Sequence, residues 1–202
     1  MILKSDEAYE LLMVAKELNP AGYISHSIKV GEAAGRIAKA LNLDVDKAIA
    51  MGYIHDIGKR FGEPLNAHVA KGYEYIKSLG YDDEFADVCL THSYLNNDIG
   101  CTAGGIVSPK SYKYEFRKEF MKNHKCTIYD KIIQLCDLMC AKDFMILEER
   151  LIEIMTRRGA YNNTQYHITE AIKHKQEIEK LLGKSIYTLF PEIVSRLLWK
   201  SE

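Results

Sequence analysis

The 202-residue sequence predicts an all-α protein. Apolar residues recur at steps of three and four through most of the chain, a spacing that places them on one face of a helix. Capping residues and Gly or Pro breakers separate these segments at helical lengths. No segment shows the sustained alternation of apolar and polar residues that a half-buried strand requires. We therefore expect a single all-α domain over residues 1–202, with a substantial buried core.

The first half of the sequence divides into five predicted helices. Ser5 is placed as the N-cap of the first helix, because its hydroxyl can accept a backbone N–H of the first turn. Asp44 is placed in the same way before the third helix, which is predicted to continue to about Ile57. The predicted ranges are about 5–18, 23–41, 44–57, 66–79 and 82–92.

The second half begins with an irregular stretch over residues 93–111 that is rich in Asn, Gly and Pro. A charged and aromatic surface helix is predicted at about 112–124. Thr127 and Asp130 have the spacing of a capping box, with Asp in place of Glu, at the start of the next helix. Further helices are predicted at about 147–157, 164–182 and 185–199. We expect them to pack over the core, with a homodimer interface as the alternative.

The charge balance excludes some classes of partner. The 27 Lys and Arg residues oppose 28 Asp and Glu residues, so no basic excess favours nucleic acid. No stretch reaches the roughly 18 apolar residues that span a bilayer, and the first residues do not resemble a signal peptide. We therefore expect a cytoplasmic protein with neither a nucleic-acid nor a membrane partner.

Histidines and aspartates on apolar faces indicate a metal site. Four of the seven histidines lie on the apolar stripe of a predicted helix, namely His26, His55, His68 and His92. Asp56 and Asp137 lie on comparable faces, where an ionised carboxylate is costly unless it is compensated. A shared cation would satisfy all six side chains. The remaining histidines, His124, His167 and His174, have polar sequence neighbours and are predicted to be solvated.

The residue types favour particular metals and a particular chemistry. Imidazole and carboxylate ligands suit Fe, Mn, Zn, Ni or Co, with Mg possible and Fe or Mn preferred. Successive residues on a helix point about 100° apart, so His55 and Asp56 can approach one centre from neighbouring directions. A carboxylate that uses both oxygens can bridge two metals. One or two divalent metal ions and metal-assisted hydrolysis are therefore expected.

The motif His55-Asp56-Ile57-Gly58-Lys59, with its flanking histidines and Asp137, resembles the HD superfamily of metal-dependent phosphohydrolases over about residues 22–145. The resemblance implies an HD-domain helical bundle with additional C-terminal helices over about 147–199. The first metal ligands that it implies are His26, His55, Asp56 and Asp137. A second metal would be held by His68 and His92, with Asp56 as the bridge. Lys59 would contact a substrate phosphate, and Asp56 and Lys59 are the predicted catalytic residues.

Two departures from that pattern bear on the substrate and the metal count. Only 12 positions separate Asp56 from His68, fewer than in several binuclear branches. Gly72-Tyr73 is followed by Glu74, whereas the cyclic-di-nucleotide phosphodiesterases of the superfamily have Gly-Tyr-Pro. Cyclic-di-nucleotide hydrolysis is therefore disfavoured, and a mononuclear site without His68 and His92 remains an alternative.

These features predict a phosphohydrolase that cleaves a phosphoester or phosphoanhydride, in a nucleotide or another small phosphorylated metabolite, by metal-activated hydroxide. Two alternatives remain open: a diiron oxygenase on the same scaffold, and a nucleotide-binding regulatory module without catalysis. The position of Lys59 directly after the motif favours the hydrolase.

Three further segments have predicted roles. The stretch 93–111 leaves directly from His92 and is expected to gate the substrate. Within it, Tyr94, Asn96 and Lys110 are candidates for contacts to a base or sugar. Asp130 is read as a helix cap in preference to a carboxylate that orients a ligand histidine. Arg157-Arg158 is read as a solvated helix C-terminus in preference to a phosphate-binding pair.

Overall fold

The computed structural model describes residues 1–62 and 66–197 and confirms the all-α class. Within this range there are ten α-helices and three short 3-10 helices, and no strand element. No helix in the described residues is long and apolar enough to cross a membrane. The α-helices are α1 (Ser5–Leu18), α2 (Tyr23–Ala40), α3 (Val45–Ile54), α4 (Ala67–Ser78), α5 (Asp83–Thr91), α6 (Tyr114–Asn123), α7 (Ile128–Met139), α8 (Leu147–Arg158), α9 (Thr164–Leu182) and α10 (Pro191–Leu197).

Two of the predicted helix caps are present. The carboxylate of Asp44 accepts the backbone N–H of Lys47 at 3.1 Å and so starts α3. At the start of α7, the hydroxyl of Thr127 accepts the N–H of Asp130 at 3.1 Å, and the Asp130 carboxylate accepts the N–H of Thr127 at 2.7 Å. Each cap satisfies backbone donors that a helix start leaves unpaired. The predicted capping role of Asp130 is confirmed.

The start of α1 and the last helix differ from the prediction. Lys4, not Ser5, is the N-cap of α1, because the Ser5 hydroxyl donates to the Asp46 carboxylate on α3. The predicted helix over 185–199 is divided into a 3-10 helix, Ile186–Leu189, and α10. Pro191 lacks a backbone N–H and fits the first position of a helix, so a new helix begins there. Positions 198–199 of the predicted helix lie outside the described residues.

The ends of α3 and α5 are decisive for the site. The α-helix stops at Ile54 rather than near Ile57, and a tighter 3-10 helix, Ile57–Phe61, follows. Asp56, at φ −102° and ψ 12°, lies in the turn between the two. Likewise α5 stops at Thr91 and leaves His92 as its C-cap. His55 and His92 are therefore both presented from the C-terminal ends of helices.

Two close backbone contacts hold the site elements together. A Cβ atom on Gly52 would lie 2.5 Å from the Gly31 Cα, so the backbones of α2 and α3 touch at this crossing. A Cβ on Gly58 would lie 2.0 Å from the carbonyl oxygen of His68 and 2.5 Å from the nitrogen of Gly72. Only glycine permits such approaches. The first contact brings α2 beside the His55 turn, and the second brings α4 beside Asp56.

The main hydrophobic core draws residues from every described α-helix except α6, and the single domain over residues 1–202 stays a prediction. A smaller cluster surrounds Arg117 of α6, whose side chain is buried although α6 was predicted to be a surface helix. The Arg117 guanidinium donates to the Tyr94 hydroxyl at 2.8 Å and to the Asn66 carbonyl at 3.2 Å. Tyr94 is itself only 1% exposed, so its predicted contact to a base or sugar is wrong.

Candidate metal centre

Five elements bring the six predicted ligand side chains close together. They are α2 with His26, the turn after α3 with His55 and Asp56, α4 with His68, the end of α5 with His92, and α7 with Asp137. Residues that are as far apart as 26 and 137 in the sequence therefore meet at one place. Whether they ligate a metal is a separate question, which depends on the geometry of their donor atoms.

The first group of donor atoms contains His26, His55, Asp56 and Asp137. The Nε2 atom of His26 lies 2.8 Å from Oδ1 of Asp137 and 3.3 Å from Nε2 of His55. The Nε2 atom of His55 lies 3.6 Å from Oδ2 of Asp56 and 3.7 Å from Oδ1 of Asp137. Two donors about 2.1 Å from a common ion and at right angles are roughly 3.0 Å apart, so these separations are close to those of a coordination shell.

The second group lies on the other side of the same carboxylate. Oδ1 of Asp56 is 3.3 Å from Nε2 of His68 and 3.5 Å from Nε2 of His92. Oδ2 instead faces His55 at 3.6 Å and His26 at 4.0 Å. The two oxygens of Asp56 are thus directed at two different pairs of histidines. This arrangement can serve one cation on each side of the carboxylate.

Backbone carbonyls fix the orientation of two histidines. The Nδ1 atom of His55 donates to the Gly52 carbonyl at 2.7 Å, and Nδ1 of His92 donates to the Val88 carbonyl at 3.2 Å. Because Nδ1 carries the proton, Nε2 keeps its lone pair and faces the cluster. The hydroxyl of Ser93 lies 2.9 Å from Nε2 of His92, as expected for a donor to that lone pair.

The protonation states suit metal binding. Burial alone would raise the pKa of Asp56, but the Lys59 ammonium, with the neighbouring histidines, outweighs this effect and holds the pKa well below its usual value. Burial likewise opposes ionisation of Asp137, but the hydrogen bond from His26, with His55 close by, holds its pKa well below the usual value. Burial lowers the pKa of His68 to about 3, and the attraction of Asp56 only partly offsets this. Ionised carboxylates and a neutral imidazole are the forms that ligate metals.

One orphaned atom supports the fit to a cation. Oδ1 of Asp56 is buried and has no hydrogen-bond donor among the described residues. A buried ionised oxygen without a partner is costly and uncommon in folded proteins. A cation between Asp56, His68 and His92 would satisfy it. The donor set of nitrogen and carboxylate oxygen is the one that divalent transition metals prefer.

Lys59 lies at the edge of the cluster. Its ammonium forms an ion pair with Oδ2 of Asp56, one turn along the 3-10 helix, and its side chain is 38% exposed. Lys59 therefore neutralises part of the negative charge of the cluster while it remains in contact with the cavity. The position agrees with the predicted contact to substrate, because Lys59 lines the cavity.

A cavity of about 1010 Å³ opens next to the cluster. Leu95 and Gly104 line it, so the stretch 93–111 borders the cavity, as its predicted gating role requires. Asn96 does not line it, because its side-chain amide donates to the Tyr166 hydroxyl at 3.2 Å. Lys110 is exposed and also lies outside the lining.

The prediction of solvated surface positions is wrong for the other three histidines. His167 and His174 are 5% and 8% exposed, and His174 donates to the Lys131 carbonyl at 2.7 Å. They fall on the inward face of α9 with Ala171 and Ile178, at steps of four, three and four. Their polar sequence neighbours lie on other faces of the helix. This spacing could have predicted the burial of both histidines. The polarity of adjacent residues could not, because neighbours in the sequence lie on different faces of a helix.

His124 is also largely removed from solvent, with a side chain 10% exposed. Its Nε2 donates to Asp130 at 3.1 Å, and this hydrogen bond raises the pKa of His124. Asp130 further accepts the hydroxyl of Thr91 at 2.7 Å, directly before His92. Asp130 therefore caps α7 and supports the end of α5, but it does not contact a predicted ligand histidine.

Sequence reasoning also missed residues of the cavity wall. Arg150 and His167 line the cavity, as do Arg157 and Arg158. The two adjacent arginines are exposed at the end of α8, as predicted, but they face the cavity as well. The recurrence of positions 150, 154 and 157 at helical spacing indicates one face. Only the fold shows that this face borders the metal centre.

The helical fold and the convergence of histidines with two aspartates define a class of protein. A sequence model of the HD domain matches residues 23–142. This match covers more than half of the chain, and the chain belongs to the HD domain family. The predicted family is therefore confirmed.

Several curated relatives are ribonucleases Y. The enzyme of Fervidobacterium nodosum is 37% identical over 70 residues, which cover 34% of this chain and 14% of the relative. That of Mycoplasma mycoides subsp. mycoides is 45% identical over 70 residues, with the same two shares. The matched segment thus spans about one seventh of the length of these relatives.

One solved structure shares the fold over nearly the whole chain. It is the HD domain of the L. monocytogenes phosphodiesterase PgpH in complex with cyclic-di-AMP. The superposition has a TM-score of 0.52 and covers 96% of this chain and 99% of that one, at 18% sequence identity. At this identity the likeness shows the fold alone.

Proposed function

We propose that this chain is a metal-dependent phosphohydrolase, which cleaves a phosphoester or phosphoanhydride bond of a nucleotide or another small phosphorylated metabolite. The observation that carries the proposal is the position of Asp56. Its two oxygens face two separate histidine pairs, and one of these oxygens is buried without a hydrogen-bond donor in the part of the chain that the structure describes. Membership of the HD family, whose domains bind divalent metals, agrees with this geometry.

The metal ligands in this proposal fall into two sets that share Asp56. The first set is His26, His55, Asp56 and Asp137, and the second is Asp56, His68 and His92. Fe or Mn is the preferred occupant, and Zn, Ni, Co or Mg would also accept these donors. A bound divalent ion supplies a Lewis acid that lowers the pKa of water and offsets phosphoryl charge.

The protein side chains position the substrate and balance its charge. A cation at Asp56 would take over the neutralisation that Lys59 now provides, so the Lys59 ammonium would be available to an anionic oxygen in the cavity. Electrostatic stabilisation of the nonbridging oxygens is the main contribution of a protein to phosphoryl transfer. Burial of His68 keeps its imidazole neutral and able to act as a ligand.

Nucleotides are the preferred substrate class. The relatives are named as ribonucleases and the structural neighbour binds cyclic-di-AMP, so nucleotide phosphates recur among proteins with this domain. The cavity volume of about 1010 Å³ accommodates a ligand of that size. The sequence Gly72-Tyr73-Glu74 remains the argument against a cyclic dinucleotide, and a linear nucleotide is the substrate that we propose.

A metal and activity survey tests the proposal. Protein purified anaerobically and loaded with Fe²⁺ or Mn²⁺ is assayed for bound metal and for phosphate release from aryl phosphates and nucleotides. We expect Asp56→Asn and Asp137→Asn each to lower kcat about 100-fold or more, which is the scale of losing a charge-stabilising group. Asp143→Asn removes an exposed carboxylate just beyond α7 and is the matched control. Full activity and unchanged metal content in Asp56→Asn would refute the proposal.

Two other measurements separate the alternatives. Wild-type protein is expected to bind two metal ions per chain and His68→Ala to bind one, whereas one ion in both would establish a mononuclear site. A reaction that requires O₂ and shows a mixed-valent iron signal would instead identify a diiron oxygenase. Nucleotide binding without turnover under any metal would identify a regulatory module.

A further inference from the structure

One wall of the cavity carries charges that the metal centre does not use. Arg150, Glu153, Ile154 and Arg157 of α8 all line the cavity. The last three follow Arg150 by three, four and seven residues, so all four lie on a single face of the helix. Arg158, the last residue of α8, lines the same cavity. The cavity therefore has a positively charged wall formed by one helix.

This wall and the predicted metal ligand Asp137 line the same cavity. Burial has the largest influence on the pKa of the Arg150 guanidinium and lowers it, whereas the negative charge of Asp137 raises it. Arg157 and Arg158 act on the same guanidinium as like charges. The Arg150 guanidinium therefore interacts both with the carboxylate of Asp137 and with the two outer arginines. Seven residues of α-helix separate Arg150 from Arg157 by roughly 10 Å along the axis.

The arginines of this wall keep unused donors. Glu153 accepts from the Arg150 guanidinium and, at 2.7 Å, from Nε of Arg157. Nε of Arg150 is buried and has no hydrogen-bond partner in the described part of the chain. Lys142 and Arg158 line the cavity and form no ion pair with a described residue. On this wall, the single described carboxylate faces three arginines.

The loop opposite α8 is held in place by buried hydrogen bonds. The side-chain amide of Asn163 donates to the carbonyls of Gly100 and Thr102 at 2.9 and 3.0 Å. Gly104 lies so close that a Cβ there would be 3.3 Å from Nη1 of Arg158. The guanidinium of Arg158 therefore lies beside this loop. A merely solvated helix end would not have a hydrogen-bonded loop against it.

We propose that Arg150, Arg157 and Arg158 form a second anion subsite, which binds a phosphate group that is separated by a nucleoside from the phosphate at the metal centre. The inference rests on the proposed function and narrows its substrate class to nucleotides with two separated phosphates. Guanidinium groups bind phosphate oxygens through paired, charge-assisted hydrogen bonds, which suits them to this role.

Binding measurements with ligands of matched charge test the subsite. Adenosine 3′,5′-bisphosphate, ADP and AMP are titrated calorimetrically into the full chain, with and without Mn²⁺. The variant Arg157→Ala/Arg158→Ala alters two exposed residues, so the fold should be preserved. The control Lys118→Ala/Lys122→Ala removes the same charge from exposed positions of α6, outside the cavity lining.

We expect the wild type to bind the 3′,5′-bisphosphate about tenfold more tightly than ADP or AMP, the scale of one charge-assisted contact. The arginine variant should lose this preference, and the lysine control should keep it. The subsite is overturned if the arginine variant binds all three ligands equally more weakly, or if it keeps the preference for the bisphosphate. It is also overturned if the wild type binds none of the ligands up to about 1 mM. An oligoadenylate of six nucleotides that binds more than about tenfold tighter than the bisphosphate would overturn the assignment to a small ligand.

These titrations, combined with the activity survey of the same ligands, separate this inference from the proposed function. If the arginine-dependent preference is present but no metal supports hydrolysis of any ligand, the hydrolase proposal fails and the subsite stands. If hydrolysis occurs and the arginine variant shows no altered preference, the hydrolase proposal stands and the subsite fails.

Discussion

Substitution of Gly58 tests how the fold builds the second half of the metal centre. In Gly58→Ala the new methyl group would lie 2.0 Å from the His68 carbonyl oxygen, 2.5 Å from the Gly72 nitrogen and 2.8 Å from the His68 carbonyl carbon. All three atoms belong to the backbone of α4, so no side chain can rotate away. The 3-10 helix after Asp56 and α4 must therefore separate.

The size of the separation follows from the contact distances. Ordinary contact begins at 3.4 Å, so α4 must move by about 1.4 Å relative to Gly58. Forced overpacking of this kind costs about 1–3 kcal/mol of folding free energy. The same movement would lengthen the present 3.3 Å separation between Nε2 of His68 and Oδ1 of Asp56. His26, His55 and Asp137 do not lie on α4, so the first ligand set should survive.

The assay combines urea unfolding with metal analysis. We expect Gly58→Ala to lower the free energy of unfolding by about 1–3 kcal/mol and to reduce bound Mn²⁺ from two ions per chain to one. Gly22→Ala is the control, because a Cβ at Gly22 has nothing within 4 Å and its φ is −61°. Stability within about 0.5 kcal/mol of the wild type, together with two bound ions, would refute the reasoning.

Two further predictions concern the region around α5 and α6. Arg117→Met leaves the Tyr94 hydroxyl and the Asn66 carbonyl without their buried donor. This substitution should lower the free energy of unfolding, measured by urea titration, by about 2 kcal/mol. A change below about 0.5 kcal/mol would contradict this account. Burial raises the pKa of Asp87 to about 6, so its ionisation opposes folding. As pH rises from about 4 to 7, ionisation of Asp87 should therefore contribute a fall of at most about 3 kcal/mol to the free energy of unfolding, and a pH series measures this contribution as the difference between the wild type and Asp87→Asn. The raised pKa of His124 acts in the same direction and the lowered pKa of His68 in the opposite one, but both histidines are present in the two proteins. Equal pH profiles of the wild type and Asp87→Asn would therefore contradict this account.

The helical class and the chemistry-bearing residues were accessible from the sequence. Helical periodicity, the caps at Asp44 and Thr127, and the His55-Asp56 motif are local patterns, which depend on residues a few positions apart. The prediction that six particular side chains share a site came from the motif order together with the apolar faces of their helices. The structure brings all six together. Their roles as metal ligands stay a prediction until metal is measured.

Local patterns failed where burial depends on distant partners. His167 and His174 have polar sequence neighbours, yet both are buried because α9 packs that face against the rest of the bundle. Tyr94 was placed in a loop that could meet a substrate, but a buried arginine from α6 holds its hydroxyl. Neither outcome follows from the residues that adjoin these positions in the sequence.

The sequence by itself determined a helical chain of the HD type and the residues that can bind a cation, because helix periodicity and a short motif are encoded within a few turns. Tertiary structure alone decided that the two oxygens of Asp56 face different histidine pairs and that Gly58 touches the backbone of α4. It alone decided that the arginines of α8 border the same cavity. These features depend on distances between segments far apart in the chain, and such distances are set only when the helices pack.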